Sequence, residues 1–281
     1  MLTIESYLEA KRLGLRHAGK AGSANTLKAY RHALQRAEYL LEKPLAEFTQ
    51  DDGDRLMTLM EEAGFENAHK ANILAALRGA FAYGIGTKIF EGDDPVGGIA
   101  TPTVKRKLPT ILTKEQLNSL YDSFEHERER LLFKLMYFGG LRIGEAVKLR
   151  VDHVTADAII VQGKGNKERR TRLPQHLMNE LHQFIRKNNV SAYVFAADAA
   201  RPLHVSVFYD AFEKAKHVAD VPNELVPHNL RHTSATHMMK ATNNVAVVQT
   251  FLGHERPETT MIYVQLADED LDNAHLATFG D

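Results

Sequence analysis

The chain has 281 residues, a length that suits two domains better than one, and 44% of them are hydrophobic, enough to bury a core in each. The absence of cysteine excludes disulfides, thiolate metal sites and a cysteine nucleophile together, and no apolar run approaches the roughly 20 residues needed to span a bilayer. With 35 basic against 36 acidic residues the net charge is near zero, so attraction for a polyanion has to come from how charge is distributed, not from its sum.

The start, Met1-Leu2-Thr3-Ile4-Glu5-Ser6, lacks a basic region followed by an apolar stretch, and a cytoplasmic location is expected. A first helix is predicted from Ile4 to Arg12. A second, opened by Ser23 and running to about Glu42, puts Leu27, Tyr30, Leu34, Ala37 and Leu41 on one face. A third runs from about Asp51 to Glu62 with Leu56, Leu59 and Met60 inward. A fourth runs from about Asn67 to Tyr83 with Ile73, Leu74, Leu77 and Phe81 inward. Packing alone accounts for these stripes.

Residues 93 to 113 change character. Asp94-Pro95-Val96-Gly97-Gly98, Thr101-Pro102 and Lys105-Arg106-Lys107-Leu108-Pro109 place three prolines and a glycine pair where no helix can continue. The domains are therefore expected at 1–92 and 113–281, with a linker at 93–112. Lys105, Arg106 and Lys107 suit either contact with an acidic polymer or simple solubility of an extended linker. Basic charge gathers here and beyond: Thr101 to Arg172 holds 15 Lys or Arg against 9 Asp or Glu, whereas Ala267 to Asp281 holds no Lys or Arg.

Thr113-Lys114-Glu115-Gln116 reads as a capped helix start, and a further helix is expected from Glu127 to Phe138. Gly139-Gly140 then allows a tight turn into Arg142, with Glu145 three residues on. Ala158-Ile159-Ile160-Val161 and Arg169-Arg170-Thr171-Arg172-Leu173 read as a β-hairpin with Lys164 at its tip. The turn Gly163-Lys164-Gly165-Asn166-Lys167 lacks the spacing of a nucleotide-binding loop. Helices follow at Gln175 to Lys187, Val205 to Lys216, from His228, and at Asn244 to Leu252, the last stopped by Gly253. Pro257 suits the start of the next helix, which carries Tyr263. The fold class expected is mainly α with a small β-hairpin in the second domain, an α+β arrangement.

His228, Arg231 and His232 fall on one helical face, which is costly without an anion to receive them. The i, i+4 spacing of His228 and His232 raises the alternative of a metal site, but Asn229-Leu230-Arg231 replaces the glutamate such a motif needs, and a guanidinium repels a dication. No metal is expected.

In Gly139-Gly140-Leu141-Arg142-Ile143-Gly144-Glu145, Gly163-Lys164-Gly165, His228-Asn229-Leu230-Arg231-His232-Thr233, Leu252-Gly253-His254 and Ile262-Tyr263 the chain resembles the tyrosine recombinases, the phage-integrase and Xer-type family. The resemblance covers about the last 170 residues in detail. It implies a helical core-type DNA-binding domain joined by the linker to a catalytic domain, the two closing as a clamp on double-stranded DNA at short inverted-repeat core sites. It implies a catalytic set of Arg142, Lys164, His228, Arg231, His254 and Tyr263, with Glu145 in support. Lys28, Arg31, Lys70, Arg78, Lys105, Arg106 and Lys107 become candidates for phosphate contact on the same grounds.

The chemistry then follows from charge. Attack on a phosphodiester doubles its negative charge in the transition state, so fixed donors are required, and Arg142, Arg231 and His254 offer them. A tyrosine near its usual pKa of about 10 needs a base or a strong positive field to attack. His228 is the candidate base, Lys164 the acid that protonates the departing 5′ oxygen, and Tyr263 the holder of the 3′ phosphate. The phosphotyrosyl ester conserves bond energy, so no cofactor is expected. The segment after Tyr263, with Leu266, Leu271 and Leu276 amid acids, reads as a short amphipathic helix that docks either on its own catalytic domain or, as the resemblance implies, on a neighbouring subunit in a homotetramer on DNA. A monomeric free state and a regulatory protein partner stay open. A first helix so near Met1 leaves no room for a separate arm-binding domain, which points toward simple Xer-type enzymes. Relaxation of supercoils in the manner of type IB topoisomerases, and a non-catalytic DNA-binding accessory, are the alternatives.

Overall fold

The computed structural model describes residues 1–104, 107–163, 168–198, 201–253 and 260–266. The chain divides into two compact units, Met1–Arg106 and Lys107–Asp281.

The first unit holds α1 (Ile4–Leu13), α2 (Ala24–Leu41), α3 (Gln50–Glu62) and α4 (Asn67–Gly86). The first three begin where a side chain satisfies a free N–H group. Thr3 caps α1, its hydroxyl accepting from the Ser6 N–H at 3.1 Å, and Ser23 caps α2 through the Thr26 N–H at 3.3 Å. At α3 the Thr49 N–H donates to Asp52 at 2.7 Å, and Lys43 covers the same carboxylate at 2.6 Å. The apolar stripes converge as periodicity predicts: Leu34, Leu56, Met60, Ile73, Leu74, Leu77 and Phe81 are wholly buried, each contributing roughly 1.5–3 kcal/mol. Gly79 lets α1 approach α4, because a Cβ there would overlap the Tyr7 hydroxyl.

The basic side chains of this unit differ in what they do. Lys28 is exposed. Arg31 pairs with Glu5, and Arg78 donates to the Thr101 hydroxyl at 2.5 Å and to the Ile99 carbonyl, fastening the following segment to α4. Lys70 is 4% exposed and pairs with Glu61, so its charge serves the fold and is withdrawn from the surface; a phosphate contact by Lys70 is not carried forward.

The second unit holds α5 (Lys114–Asp122), α6 (Glu127–Phe138), α7 (Ile143–Ala146), β1 (Ala158–Gln162), β2 (Glu168–Arg172), α8 (Gln175–Lys187), α9 (Val205–Ala219), α10 (His228–Thr242) and α11 (Val245–Leu252); residues 261–266 are helical as well. The fold is mainly α with one small antiparallel sheet, the class expected. In that sheet Ile159 pairs with Thr171 and Val161 with Arg169. Alternation then points Arg169 and Thr171 to one face and Arg170 and Arg172 to the other. Thr113 forms the capping box read at α5. Gly140, not Gly139, takes the left-handed turn at φ 59°, and α9 continues three residues past Lys216.

The main core lies among α5, α6, α8 and α9, where Phe124, Phe208 and Phe212 are buried and Phe124 stacks on Phe208 with centroids 5.7 Å apart. A smaller cluster of Ala235, Met239, Val248, Leu252, Tyr263 and Leu266 joins α10, α11 and residues 261–266. Among the described residues no helix is long and apolar enough to cross a membrane.

Candidate active site

Helix α10 is pinned before it presents its polar face. Buried Lys216 donates to the carbonyls of Asn223 at 2.7 Å and Leu225 at 2.9 Å, fixing the loop that leads into it. Asn229 accepts from the Val226 N–H and donates to the Thr110 carbonyl, both at 2.9 Å, and Thr233 accepts from the Leu112 N–H at 3.1 Å. These bonds satisfy buried polar groups and set the rotation of the helix.

Arg231, 1% exposed, projects from α10 and donates to the carbonyl of Gly140 and, at 2.8 Å, to that of Leu252. Both acceptors sit at chain reversals, Gly140 in the left-handed turn and Leu252 just before Gly253 at φ 64°. Of the five N–H groups of the guanidinium two serve these carbonyls, leaving donors for an anion. Burial, then the charges of Arg142 and Arg169, bring its pKa down to about 9 against the opposing charge of Glu145, so it is still cationic at neutrality.

Arg142 lies just before α7. Its backbone N–H donates to Glu145 Oε2 at 3.0 Å and its guanidinium to Oε1 at 2.8 Å, while 44% of its side chain stays exposed. The same carboxylate receives Arg169 from β2 at 2.8 and 3.3 Å, and Arg231 stands at 4.0 Å. Glu145 is thus the hub of three arginines. Burial pushes its carboxyl up, but the bonds and charge of Arg169, then those of Arg142, prevail and hold it down to about 2.

Tyr263, 2% exposed, packs its ring in the small cluster and brings its hydroxyl to 3.0 Å from Nδ1 of His232. Burial raises the Tyr263 hydroxyl above the usual tyrosine range, opposed by the charges of Arg231 and Arg142. His228 sets its ring edge-on to His232, with centroids 4.6 Å apart. His228 keeps a solvent-open edge, yet packing around its ring, then Arg231 and Arg142, lower its pKa against Glu145, which favours the neutral imidazole.

Among the sequence-predicted site residues, Arg142, Glu145, His228, Arg231 and Tyr263 are gathered in one place. Lys164 and His254 lie outside the described residues, as do Lys105, Arg106 and the segment beyond residue 266; Lys107 is exposed. Two neighbours had no role assigned from sequence: Arg169, which shares the inward face with Thr171 once the register with β1 is known, and His232, one residue past Arg231. Among the described residues no three His, Asp or Glu are grouped to hold a metal ion. The arrangement presents a buried hydroxyl, an imidazole against it, and two guanidiniums with donors to spare.

Known proteins share this architecture. The phage integrase family model matches residues 110–270. The chain is 30% identical over 271 residues to the tyrosine recombinase XerD of Pasteurella multocida, covering 90% of this chain and 91% of that protein. It is 28% identical over 260 residues to a tyrosine recombinase of Thermosipho africanus, covering 88% and 91%. Among solved structures it resembles the XerH site-specific recombinase bound to palindromic difH substrate in a post-cleavage complex, with a TM-score of 0.75 at 22% identity over 97% of this chain and 83% of the other. It also resembles a lambda integrase (75–356) dimer bound to a COC′ core site, with a TM-score of 0.74 at 18% identity over 92% and 94%. The chain belongs to the phage integrase family, the tyrosine recombinases, whose members cleave and rejoin DNA.

Proposed function

We propose that the protein is a site-specific recombinase that opens one DNA strand at a time with Tyr263 as nucleophile. The observation that carries this reading is the Tyr263 hydroxyl bonded to His232, one residue from Arg231, with the charges of Arg231 and of Glu145-held Arg142 acting on it. The Tyr263 oxygen attacks phosphorus, the bond to the 5′ oxygen breaks, and the 3′ phosphate stays on the tyrosine. Arg142 and Arg231 neutralise the second negative charge of the pentacoordinate state, with His254 as a further donor. Lys164 gives the departing 5′ oxygen its proton. Glu145 keeps two mutually repelling guanidiniums together and needs no contact with DNA to do so.

Because the phosphotyrosyl ester retains the energy of the broken bond, the 5′ hydroxyl of a second duplex reverses the step, and two such exchanges pass through a Holliday junction. The domain plan assigns 1–92 to gripping core DNA, 93–112 to a linker and 113–281 to catalysis, with four copies acting on paired inverted-repeat sites in the cytoplasm. The same chemistry serves Xer-like dimer resolution or the integration and excision of a mobile element.

The test is covalent capture. The protein is incubated in EDTA with nicked fragments of its own source DNA, denatured, and the protein-linked ends are sequenced, with Tyr263→Phe as control. Adducts that need Tyr263 at one repeated sequence support the proposal. Adducts scattered without a shared site would favour topoisomerase-like relaxation, and DNA bound without adducts would contradict the chemistry.

A further inference from the structure

We propose that His232, not His228, takes the proton from Tyr263 during cleavage and returns it during rejoining. This deepens the recombinase reading and rests on it. The contact is direct: His232 Nδ1 is 3.0 Å from the Tyr263 hydroxyl, and both side chains are held by what surrounds them. The ring of Tyr263 is locked in the cluster formed with α10 and α11. His232 is only partly buried and lies one residue from Arg231, whose two carbonyl bonds fix the adjacent backbone. His228 meets the edge of the His232 ring.

The protons balance. With the imidazole hydrogen on Nε2, Nδ1 accepts the tyrosyl hydrogen as the oxygen bonds to phosphorus. The P–O5′ bond breaks, and the 5′ oxygen is protonated by Lys164. In rejoining, the 5′ hydroxyl gives its proton back to Lys164 as it attacks. The tyrosine then leaves and regains its hydrogen from the His232 imidazolium. Histidine suits both directions because its ordinary pKa lies near neutrality.

The charged groups around this pair are consistent with such use. Among the described residues, His228 packs against it from α10, the charges of Arg231 and Arg142 act on the Tyr263 hydroxyl, and Glu145 and Arg169 lie behind these arginines. One turn further along α10, His237 bonds Tyr137 of α6 at 2.9 Å. Helix α11, Val245–Leu252, has no ionisable side chain. A bound phosphodiester favours the imidazolium that forms as the tyrosyl proton arrives.

The test follows single-turnover adduct formation on nicked fragments of the source DNA between pH 5 and 9. Wild-type cleavage should rise with pH and level off once His232 is neutral. His232→Gln keeps a polar side chain but cannot carry the proton; it should be slower by about 10²–10³-fold near neutrality and keep rising through pH 9 as tyrosinate forms. A bridging 5′-thio substrate, whose leaving group needs no acid, should rescue Lys164→Ala and leave His232→Gln slow. Added imidazole should restore part of the rate to His232→Ala and none to wild type. A His232→Gln rate equal to wild type, or lowered by the same factor at every pH with no imidazole rescue in His232→Ala, would overturn the assignment. Wild-type protein that forms no adduct would overturn the recombinase reading itself.

Discussion

Arg169, on strand β2, and Glu145, on helix α7, form a two-point ion pair with Nη2 to Oε2 at 2.8 Å and Nη1 to Oε1 at 3.3 Å. Strand β2 is therefore tied to the carboxylate that also holds Arg142.

The pair has a pH signature. Glu145 is 9% exposed in its side chain and held down to about 2 from a reference of 4.5. A depressed carboxylate contributes stability above its unfolded pKa and loses it as pH falls through the folded value. The contribution is roughly 3 kcal/mol at pH 7 and roughly 1 kcal/mol at pH 3. In urea unfolding, the deficit of Glu145→Gln relative to wild type should narrow by about 2 kcal/mol between those pH values.

Gly140 is required where it stands. Its φ is 59°, and a Cβ would lie 2.6 Å from Phe251 Cε1. Gly140→Ala should cost roughly 2–4 kcal/mol in unfolding experiments, from left-handed strain and overpacking together. It should slow cleavage as well, because the Gly140 carbonyl holds Arg231. Gly144, whose added Cβ meets nothing within 4 Å, provides the contrast: Gly144→Ala should be neutral or stabilising by up to about 1 kcal/mol.

Arg231 fastens two turns with two of its five N–H donors. A lysine has a single nitrogen and lacks the planar fork with which Arg231 reaches the Gly140 and Leu252 carbonyls through two separate nitrogens and keeps further donors. Arg231→Lys should lower single-turnover cleavage by about 10²–10³-fold and destabilise the fold by roughly 1–3 kcal/mol through the carbonyls left short of a partner. Cleavage and denaturant unfolding of the same preparation separate the two effects.

Lys28 and Lys70 are four-helix-unit lysines with opposite expected behaviour. Exposed Lys28, if it contacts phosphate, should on substitution by alanine flatten the dependence of log affinity on log salt by about 1 and leave stability unchanged. Buried Lys70 should do the reverse: Lys70→Ala loses roughly 1–3 kcal/mol of stability and leaves the salt slope as it was. Fluorescence anisotropy of labelled duplex over a salt series, with parallel melting curves, measures both.

The helices were legible because their signals are local. The stripe of Leu34, Ala37 and Leu41, the Thr113 capping box and the Gly253 stop each act within one or two turns, and the structure places helix ends beside them. The resemblance brought Arg142, His228, Arg231 and Tyr263 forward for a different reason, their type and order along the chain. What stayed hidden depends on partners distant in sequence. Arg169 and Glu145 are 24 positions apart, and nothing in Glu-Arg-Arg-Thr-Arg marks which arginine turns inward until β1 fixes the register. His232 and Tyr263 are 31 apart, and helical periodicity groups His232 with His228 without showing which of the two meets the tyrosine. Lys70 misled for a similar cause: a lysine reads as surface until the fold brings Glu61 over it.

Covalent attachment of Tyr263 to DNA is read by mass spectrometry of the trapped adduct. After cleavage of nicked source DNA, the complex is digested with nuclease and protease and the modified peptide is fragmented. A nucleotide remnant is expected on Tyr263, linked through its 3′ phosphate, with a free 5′ hydroxyl on the released strand. A remnant on any other residue, a linkage through a 5′ phosphate, or cleavage that leaves no remnant on the protein would contradict this chemistry.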